Sequence, residues 1–231
     1  MNITSGVQHL PLDNGHATER TTRDKRSIAN APLRWPDGIV TVALDLRDAK
    51  SKAMLVDVIR EWAHHTPALR FHIVEGNKGD IRISDDERLN GNWSAIGTHA
   101  KTMDENQPTM HLDRTDNSKA FRSTALHEFG HALGLQHEHQ HPENTVDWDE
   151  DAVYEHYAGL PDHLIEEQVF NTISDPDMLI TPYDQRSVMH YQVPAHLRNH
   201  GQAIPENTHL SKGDQDAIRA LYTPRLRTSR A

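Results

Sequence analysis

The stretch that decides the fold is His127-Glu128-Phe129-Gly130-His131-Ala132-Leu133-Gly134-Leu135-Gln136-His137. Two histidines four residues apart lie on one face of an α-helix, so His127 and His131 can both reach one metal ion. Gly134 permits the left-handed backbone turn that ends the helix and brings His137 back toward the same ion. Three neutral histidines leave a fourth position for water, as in catalytic rather than structural zinc sites. Glu128, beside the first ligand, is placed to take the proton of that water.

The composition narrows the alternatives further. The chain has 231 residues, no cysteine and 18 histidines, and its 34 acidic residues against 24 Lys and Arg give a formal charge of −10. Without cysteine there is no disulfide framework, no Cys-ligated metal and no thiol nucleophile. The acidic balance disfavours nucleic acid as a partner, and no apolar run approaches the ~20 residues of a membrane helix. We therefore expect neither nucleic-acid binding nor membrane insertion, and a monomer as the default state.

The hydrophobic pattern predicts an α+β fold in which strands come early and helices late. Strands are predicted over 39–44, 71–74, 81–83, 93–97 and 109–112. Helices are predicted from Asp48 to before Pro67, from Asp116 to Gly134, over 149–158 and 162–170, and after Ser211, which has Asp214 three residues on as a near capping box. Residues 1–34 resemble a tail or pro-segment, so that order begins at Trp35, and 224–231 form a short basic tail.

At the histidine motif the sequence resembles the metzincin peptidases, and further motifs narrow this resemblance to the astacins. Ser187-Val188-Met189-His190-Tyr191 fits the methionine-containing turn in the form typical of astacins. Residues 33–40 (LRWPDGIV) look like the astacin start, and residues 91–97 (GNWSAIG) are similar to the region of its edge strand. The segment 210–222 looks like its closing helix, so the resemblance covers most of residues 33–223.

The resemblance implies a zinc-dependent metalloendopeptidase that acts on protein or peptide substrates with one catalytic Zn²⁺. It also implies the metzincin form of the α+β fold. A mixed twisted sheet with two long helices would make up residues 35–134, and an irregular subdomain ending in a helix would make up residues 135–223. The active-site cleft would lie between them.

The resemblance implies roles for residues outside the first motif. Tyr191 would be a further metal ligand that swings away to stabilise the oxyanion, and Met189 would be the hydrophobic base beneath the ligands. Glu138, directly after the third ligand, would support the site together with Gly134. The substrate would lie extended along an edge strand formed by Trp93, Ser94, Ala95, Ile96 and Gly97. The pocket for the residue after the scissile bond would be lined by the segment after Tyr191, with Arg198 as its charge.

Departures from the astacin pattern bear on the setting of the protein. Asn92 stands where the family has a disulfide cysteine, and His141 stands where an arginine is usual. The absence of cysteine favours a bacterial or fungal member. The first residues, MNITSGVQHLPLDNG, contain no hydrophobic segment of the signal-peptide type, which predicts a cytoplasmic protein or a secreted one without a classical leader.

Three alternatives remain open at this point. One is a serralysin-like or other metzincin peptidase, although the glycine-rich calcium repeats of serralysins are missing and Glu138 replaces their usual proline. Another is a non-catalytic zinc-binding interaction protein, in which the ion is structural. The third is a second metal site, because the alternating His137, His139 and His141 would lie on one side of an extended segment.

The beginning of the chain suggests a zymogen. Lys25-Arg26 precedes Ser27 at a suitable distance before Trp35, and in astacins the mature amino terminus folds toward the glutamate after the third ligand. Our hypothesis is that residues 1–26 are a pro-segment whose removal places the Ser27 amine near Glu138; a plain tail is the alternative. Mass spectrometry of the active protein tests this, and activity in a chain that still begins at Met1 would contradict it.

Overall fold

The computed structural model describes residues 28–224, and their elements follow the predicted order. The strands are β1 Ala29–Asn30, β2 Gly38–Asp45, β3 Leu69–Glu75, β4 Ile81–Ser84, β5 Trp93–Ser94, β6 Met110–His111 and β7 Met178–Leu179. The helices are α1 Ala49–Ala63, α2 Ser118–Ala132, α3 Glu150–His156, α4 Asp162–Ile165 and α5 Lys212–Leu221. A π-helical turn, Glu166–Phe170, follows α4, so the helix predicted over 162–170 has two parts. The predicted pro-segment, and all of the predicted basic tail except Pro224, lie outside the described residues.

Five strands form one mixed sheet in the order β3-β2-β4-β6-β5. The pairs β2–β3, β2–β4 and β4–β6 are parallel, and β5 pairs antiparallel with β6. The long central strand β2 is flanked on both sides, which suits its β-branched sequence Ile39-Val40-Thr41-Val42. This mixed sheet, together with two long helices and a closing helix, confirms the predicted fold class.

The helices α1 and α2 pack against each other, with the apolar face of α1 buried as its spacing predicts. Asp48 begins α1 by accepting a hydrogen bond from the Ser51 amide at 2.7 Å, an ordinary N-cap. Trp62, at the buried end of α1, donates its indole N–H to the Leu126 carbonyl of α2 at 3.2 Å. The indole of Trp35 donates to the Ala132 carbonyl at 2.7 Å. The bond from Trp35 satisfies a carbonyl in the last turn of α2 that has no partner within the helix.

The folded region begins earlier than the sequence pattern indicates. Ile28 and Ala29 are fully buried, and β1 pairs antiparallel with β7. The Gln136 amide donates to the Ile28 carbonyl, and the Asn30 amide donates to the Gly134 carbonyl, both at 2.8 Å. The predicted start of order at Trp35 is therefore wrong. The reason is that two short strands distant in sequence stabilise each other, which local periodicity does not reveal.

The predicted edge strand is shorter than expected. Trp93 and Ser94 form β5 at the edge of the sheet, and the Ala95 amide still bonds to the Thr109 carbonyl at 2.8 Å. Gly97 instead begins a 3₁₀ turn, Gly97–Lys101, with a left-handed φ of +50°. A Cβ atom at Gly97 would overlap the carbonyl oxygen of Leu33. The prediction of a strand through Gly97 is wrong because the Leu33 segment crosses there and requires a glycine.

The hydrophobic residues form two cores. The larger core joins the sheet and α1 to α2, α5 and the turn around Met189. The smaller core contains Val153, Ile165, Val169, Val193, Leu197 and Ile204. The packing therefore does not follow the predicted division at residue 134, since the closing helix belongs with the sheet. Within residues 28–224, no helix is both long and apolar enough to cross a bilayer.

Candidate metal centre

The helix α2 positions the first two histidines of the motif. Its first turn is capped by Asn117, whose side-chain oxygen accepts from the amides of Lys119 and Ala120 at 3.1 Å. The helix ends at Ala132, and Gly134 follows with a left-handed φ of +100°. His137 then returns to the helix in an extended conformation. The predicted role of Gly134 in turning the chain is thus confirmed.

The three histidines converge through one nitrogen each. Nε2 of His131 lies 3.1 Å from Nε2 of His127 and 3.0 Å from Nε2 of His137. The Nδ1 atoms of His127 and His131 donate to the carbonyls of Val188 and Leu135, both at 2.8 Å. These bonds fix the tautomers, so the Nε2 lone pairs of both rings face the same point.

This donor set fits a zinc ion. Buried lone pairs directed at one another repel unless a cation lies between them, and three imidazoles are characteristic ligands of catalytic zinc. Burial lowers the pKa of His127 to about 4 and that of His131 to about 3, so both rings are neutral and ready to coordinate at neutral pH. Within the described chain, these three residues are the group of metal-ligating side chains close enough to hold one ion.

Glu128 is buried beside the first ligand. Its side chain is 1% exposed, and its Oε1 atom has no hydrogen-bond partner among the described residues. Burial raises the pKa of this carboxyl to about 8. A cation bound at the neighbouring histidines favours the ionised form of this group, and its Oε1 atom is available to a water or a substrate group.

Tyr191 lies against the ligands, where the sequence places it. Its ring centroid is 4.5 Å from that of His137 and 6.0 Å from that of His127. The ring also stacks on His139 at 4.2 Å with an interplanar angle of 22°. His139 is buried and donates from Nε2 to the Gln168 carbonyl at 2.8 Å. The sequence points to His139 only as a candidate ligand of a second metal site, and nothing local indicates that it packs on Tyr191.

The turn around Met189 packs against α2, and the Val188 carbonyl in this turn accepts the hydrogen bond from His127. The Sδ atom of Met189 occupies the space that a Cβ atom on Gly130 would need. The carboxylate of Asp214 accepts from the Ser187 hydroxyl at 2.6 Å and from the Val188 amide at 3.0 Å. Asp214 also completes the capping box with Ser211. The sequence predicts only this capping role, because a residue distant along the chain gives no local sign of its second partner.

Glu138 and His141 anchor the chain after the third ligand. Glu138 is buried; its Oε1 atom accepts from the Asp184 amide at 2.8 Å, and its own amide donates to the Met189 carbonyl at 2.9 Å. His141 donates from Nε2 to the Thr181 carbonyl at 2.6 Å and accepts at Nδ1 from the Glu143 amide at 2.9 Å. Ser27, the proposed partner of Glu138, lies outside the described residues.

The possibility of a second metal site in this segment is wrong. Residues Glu138–Gln140 form a 3₁₀ turn instead of an extended strand. The Nε2 atoms of His139 and His141 are each bonded to a different backbone carbonyl, so the two rings do not share a ligand direction with His137.

A cavity of about 380 Å³ opens next to Tyr191. It is bounded by Ser123, Thr124 and His127 on α2, by side chains from α3 to the π-helical turn, and by the segment 192–197. The segment after Tyr191 therefore lines a cavity; that this cavity receives the residue after the scissile bond stays a prediction. Arg198 is not among the lining residues, because its guanidinium turns to the Gln202 carbonyl and packs against Gly201.

The fold and the site together define the class of metzincin-like zinc peptidases: three histidines on a helix and its following turn, a methionine turn beneath them and a mixed sheet alongside. The comparison with protein families makes this more specific. The sequence profile of the astacin family of peptidases matches residues 27–223, and the chain belongs to that family. Members of the family are zinc metalloendopeptidases.

Individual relatives agree with this assignment. Meprin A subunit beta of Homo sapiens is 29% identical over 171 residues, which cover 72% of this chain and 22% of the relative. Bone morphogenetic protein 1 of Xenopus laevis is 26% identical over 213 residues, 89% of this chain and 27% of the relative. The chain thus spans about a quarter or less of the length of these curated relatives.

Solved structures give the same result. A structure of myroilysin has a TM-score of 0.78 and 31% identity, and the match covers 87% of this chain and 100% of myroilysin. High choriolytic enzyme 1, a hatching enzyme zinc-protease of Oryzias latipes, has a TM-score of 0.57 at 21% identity over 87% of this chain and 100% of its own. The second comparison supports the fold alone.

The contact between Gly130 and Met189 predicts a coupled effect on stability. On a free helix surface, Gly→Ala stabilises by roughly 0.5–1 kcal/mol, but here the added methyl overlaps the Met189 sulfur. We expect Gly130→Ala to lower the free energy of unfolding by about 1–3 kcal/mol. In a Met189→Ala background, the same substitution should be neutral or stabilising. Urea unfolding of the four proteins measures the coupling, and additive effects would contradict it.

Burial lowers the pKa of His141 below its ordinary 6.5, which predicts a pH effect on stability. As the pH falls below 6.5, the unfolded chain takes up a proton at this residue before the folded chain does, so the free energy of unfolding decreases. His141→Gln should reduce this decrease between pH 7.5 and 5, by at most about 1.4 kcal/mol per pH unit. Urea unfolding in a metal chelator measures it, with the exposed His163→Gln as control. An unchanged slope would contradict the prediction.

Proposed function

We propose that the protein is a zinc-dependent endopeptidase that hydrolyses internal peptide bonds of proteins or peptides. The observation that carries this proposal is the unpartnered Glu128 oxygen beside three converging histidine nitrogens. A structural metal site has no use for a buried carboxyl group without a partner. A hydrolytic site needs a base at this position.

His127, His131 and His137 would hold the zinc ion. When bound, the ion supplies Lewis-acid polarisation of the scissile carbonyl and makes a water molecule acidic near neutral pH. The carboxylate of Glu128 takes the proton of the attacking water. It then returns that proton to the amine that leaves, so the residue acts first as a base and then as an acid.

Tyr191 would serve the same step from beside the ligands. Its ring packs against both His137 and His139. A phenol hydroxyl placed there donates a hydrogen bond to the oxyanion that forms on the attacked carbonyl. We also propose that Tyr191 coordinates the metal in the resting state, as the resemblance to astacins implies.

The edge of the sheet would bind the substrate backbone. β5 pairs with β6 on one side and ends the sheet on the other. An extended peptide can add to such an edge through backbone hydrogen bonds. We propose this role for Trp93, Ser94, Ala95 and Ile96. Gly97 would serve only by turning the chain after them.

The roles of Glu128 and Tyr191 predict distinct kinetic losses. Glu128→Gln should keep its zinc but lose about 10²–10⁴-fold in kcat, because it removes the proton acceptor. Tyr191→Phe should lose about 10²–10³-fold in kcat, because it removes one oxyanion donor. Casein and peptide cleavage, with zinc content by mass spectrometry, measures both. Glu155→Gln, an exposed change on α3, is the matched control.

Two outcomes would refute the proposal. One is casein cleavage by the Glu128→Gln protein at the rate of the parent. The other is loss of the folded state on chelation together with the absence of peptide cleavage in the zinc-loaded parent, since these define a structural zinc site.

A further inference from the structure

The cavity beside Tyr191 is lined by both apolar and polar side chains and by one acidic group. The apolar residues include Leu160, Leu164, Ile165, Val169 and Leu197, and the polar residues include Ser123, Thr124, Gln168, Gln192, Asn207 and the histidines His127, His156 and His190. Among the described residues that line the cavity, Glu206 is the single carboxylate, and none is lysine or arginine. A lining that combines aliphatic side chains with one carboxylate suits a long side chain that is aliphatic along its length and basic at its end.

The carboxylate of Glu206 is held close to the metal ligands. It accepts a hydrogen bond from the hydroxyl of Ser123. Ser123 lies four residues before His127 on α2, so the two side chains share one helix face. One helical turn, about 5.4 Å, separates their positions. The side chain of Lys or Arg spans a comparable length, roughly 6 Å.

The loop that carries Glu206 is anchored directly after this residue. Arg122 donates to the Thr208 carbonyl at 2.8 Å, while its other guanidinium nitrogen is paired with Glu61. Asn207 donates its side-chain amide to the carbonyls of Gln185 and Ser187, both at 2.9 Å. These bonds tie the loop to α2 and to the methionine turn, so the position of Glu206 is set before a substrate arrives.

We propose that Glu206 determines specificity by receiving the ammonium or guanidinium group of a Lys or Arg side chain that follows the scissile bond. The proposal rests on the proposed endopeptidase function and names the substrate class of that site. The aliphatic part of the substrate side chain would lie along the apolar residues of the cavity, and its charged end would meet the carboxylate. Glu206 does not touch the reacting atoms, so it affects the choice of peptide and not the chemistry.

The sequence suggests an alternative, a basic pocket in which Arg198 selects acidic side chains. The geometry disfavours this alternative because the Arg198 guanidinium bonds to the Gln202 carbonyl and lies outside the cavity lining. Arg122, on the same helix as Ser123, has its charge balanced by Glu61. A preference for Asp or Glu after the scissile bond would therefore overturn the proposal.

The test compares zinc-loaded parent and Glu206→Gln proteins on one peptide that varies only at the residue after the scissile bond. Lys and Met form the decisive pair, since they have similar length and differ in charge; Arg, Leu and Asp complete the series. At pH 8 and low salt, the parent should favour Lys over Met by roughly 3- to 10-fold in kcat/KM, as expected for one partly exposed charged pair. Glu206→Gln should bring this ratio close to one and leave Met and Leu cleavage unchanged.

Two further variants separate a charge effect from a general one. Ser123→Ala removes the donor that orients the carboxylate and should reduce the Lys-to-Met ratio partly. Glu155→Gln removes an exposed charge on α3 and should leave the ratio as in the parent. A ratio in the Glu206→Gln protein equal to that of the parent would overturn the proposal, as would an equal loss from Glu155→Gln.

A binding measurement keeps this test independent of turnover. In the zinc-loaded Glu128→Gln protein, fluorescence anisotropy of the labelled peptides should show tighter binding of the Lys peptide than of the Met peptide. The added Glu206→Gln change should abolish the difference. If the parent cleaves the peptides with a Lys-to-Met ratio that Glu206→Gln does not change, the specificity proposal fails and the endopeptidase stands. If the parent cleaves nothing, the endopeptidase fails, and the binding ratio still decides for or against Glu206.

Discussion

The rest of the site depends on one electrostatic constraint, which is that three buried imidazoles direct their Nε2 atoms at a common point. The Nε2 atom of His131 lies 3.1 Å from that of His127 and 3.0 Å from that of His137. Such an arrangement is repulsive unless it coordinates a cation, so the surrounding structure has to hold it. The Nδ1 bonds to Val188 and Leu135 do so by fixing the rings. Asp214 then fixes Val188, so that a carboxylate on the closing helix reaches the metal ligands through two hydrogen bonds.

The helix α2 is the element that the two halves of the site share. Its lower face packs into the larger core with Trp62 and Met189, and its upper face presents Ser123 and His127 to the cavity. The smaller core supplies the opposite wall of that cavity through Ile165, Val169 and Leu197. Chemistry and selectivity therefore have different structural origins. The ligands depend on the first core, and the shape of the pocket depends on the second.

The sequence predicts the metal ligands, the methionine turn and the fold class well, because each follows from short-range spacing or from a motif read as a unit. It fails where residues distant in the chain decide the structure. Ile28 and Ala29 are ordered by strand β7, and Gly97 is required by the crossing of Leu33. The placement of Arg198 fails for a different reason: a backbone carbonyl four residues further along the chain, that of Gln202, accepts a hydrogen bond from its guanidinium. Asp214 and Glu206 show no local sign of their long-range partners.

Part of the histidine excess has a structural role besides metal binding. His139, His141 and His190 are buried and bond to the carbonyls of Gln168, Thr181 and Tyr191.

The anchoring of Ile28 to Gln136 has a practical consequence for anyone who handles the protein. Ile28 is paired with the residue directly before the third ligand, so an affinity tag or fluorescent fusion joined directly ahead of Ile28 would be attached next to the segment that carries this ligand. At the other end of the fold, Leu221 and Tyr222 are buried, and the exposed Thr223 and Pro224 that follow them are the better place for a label.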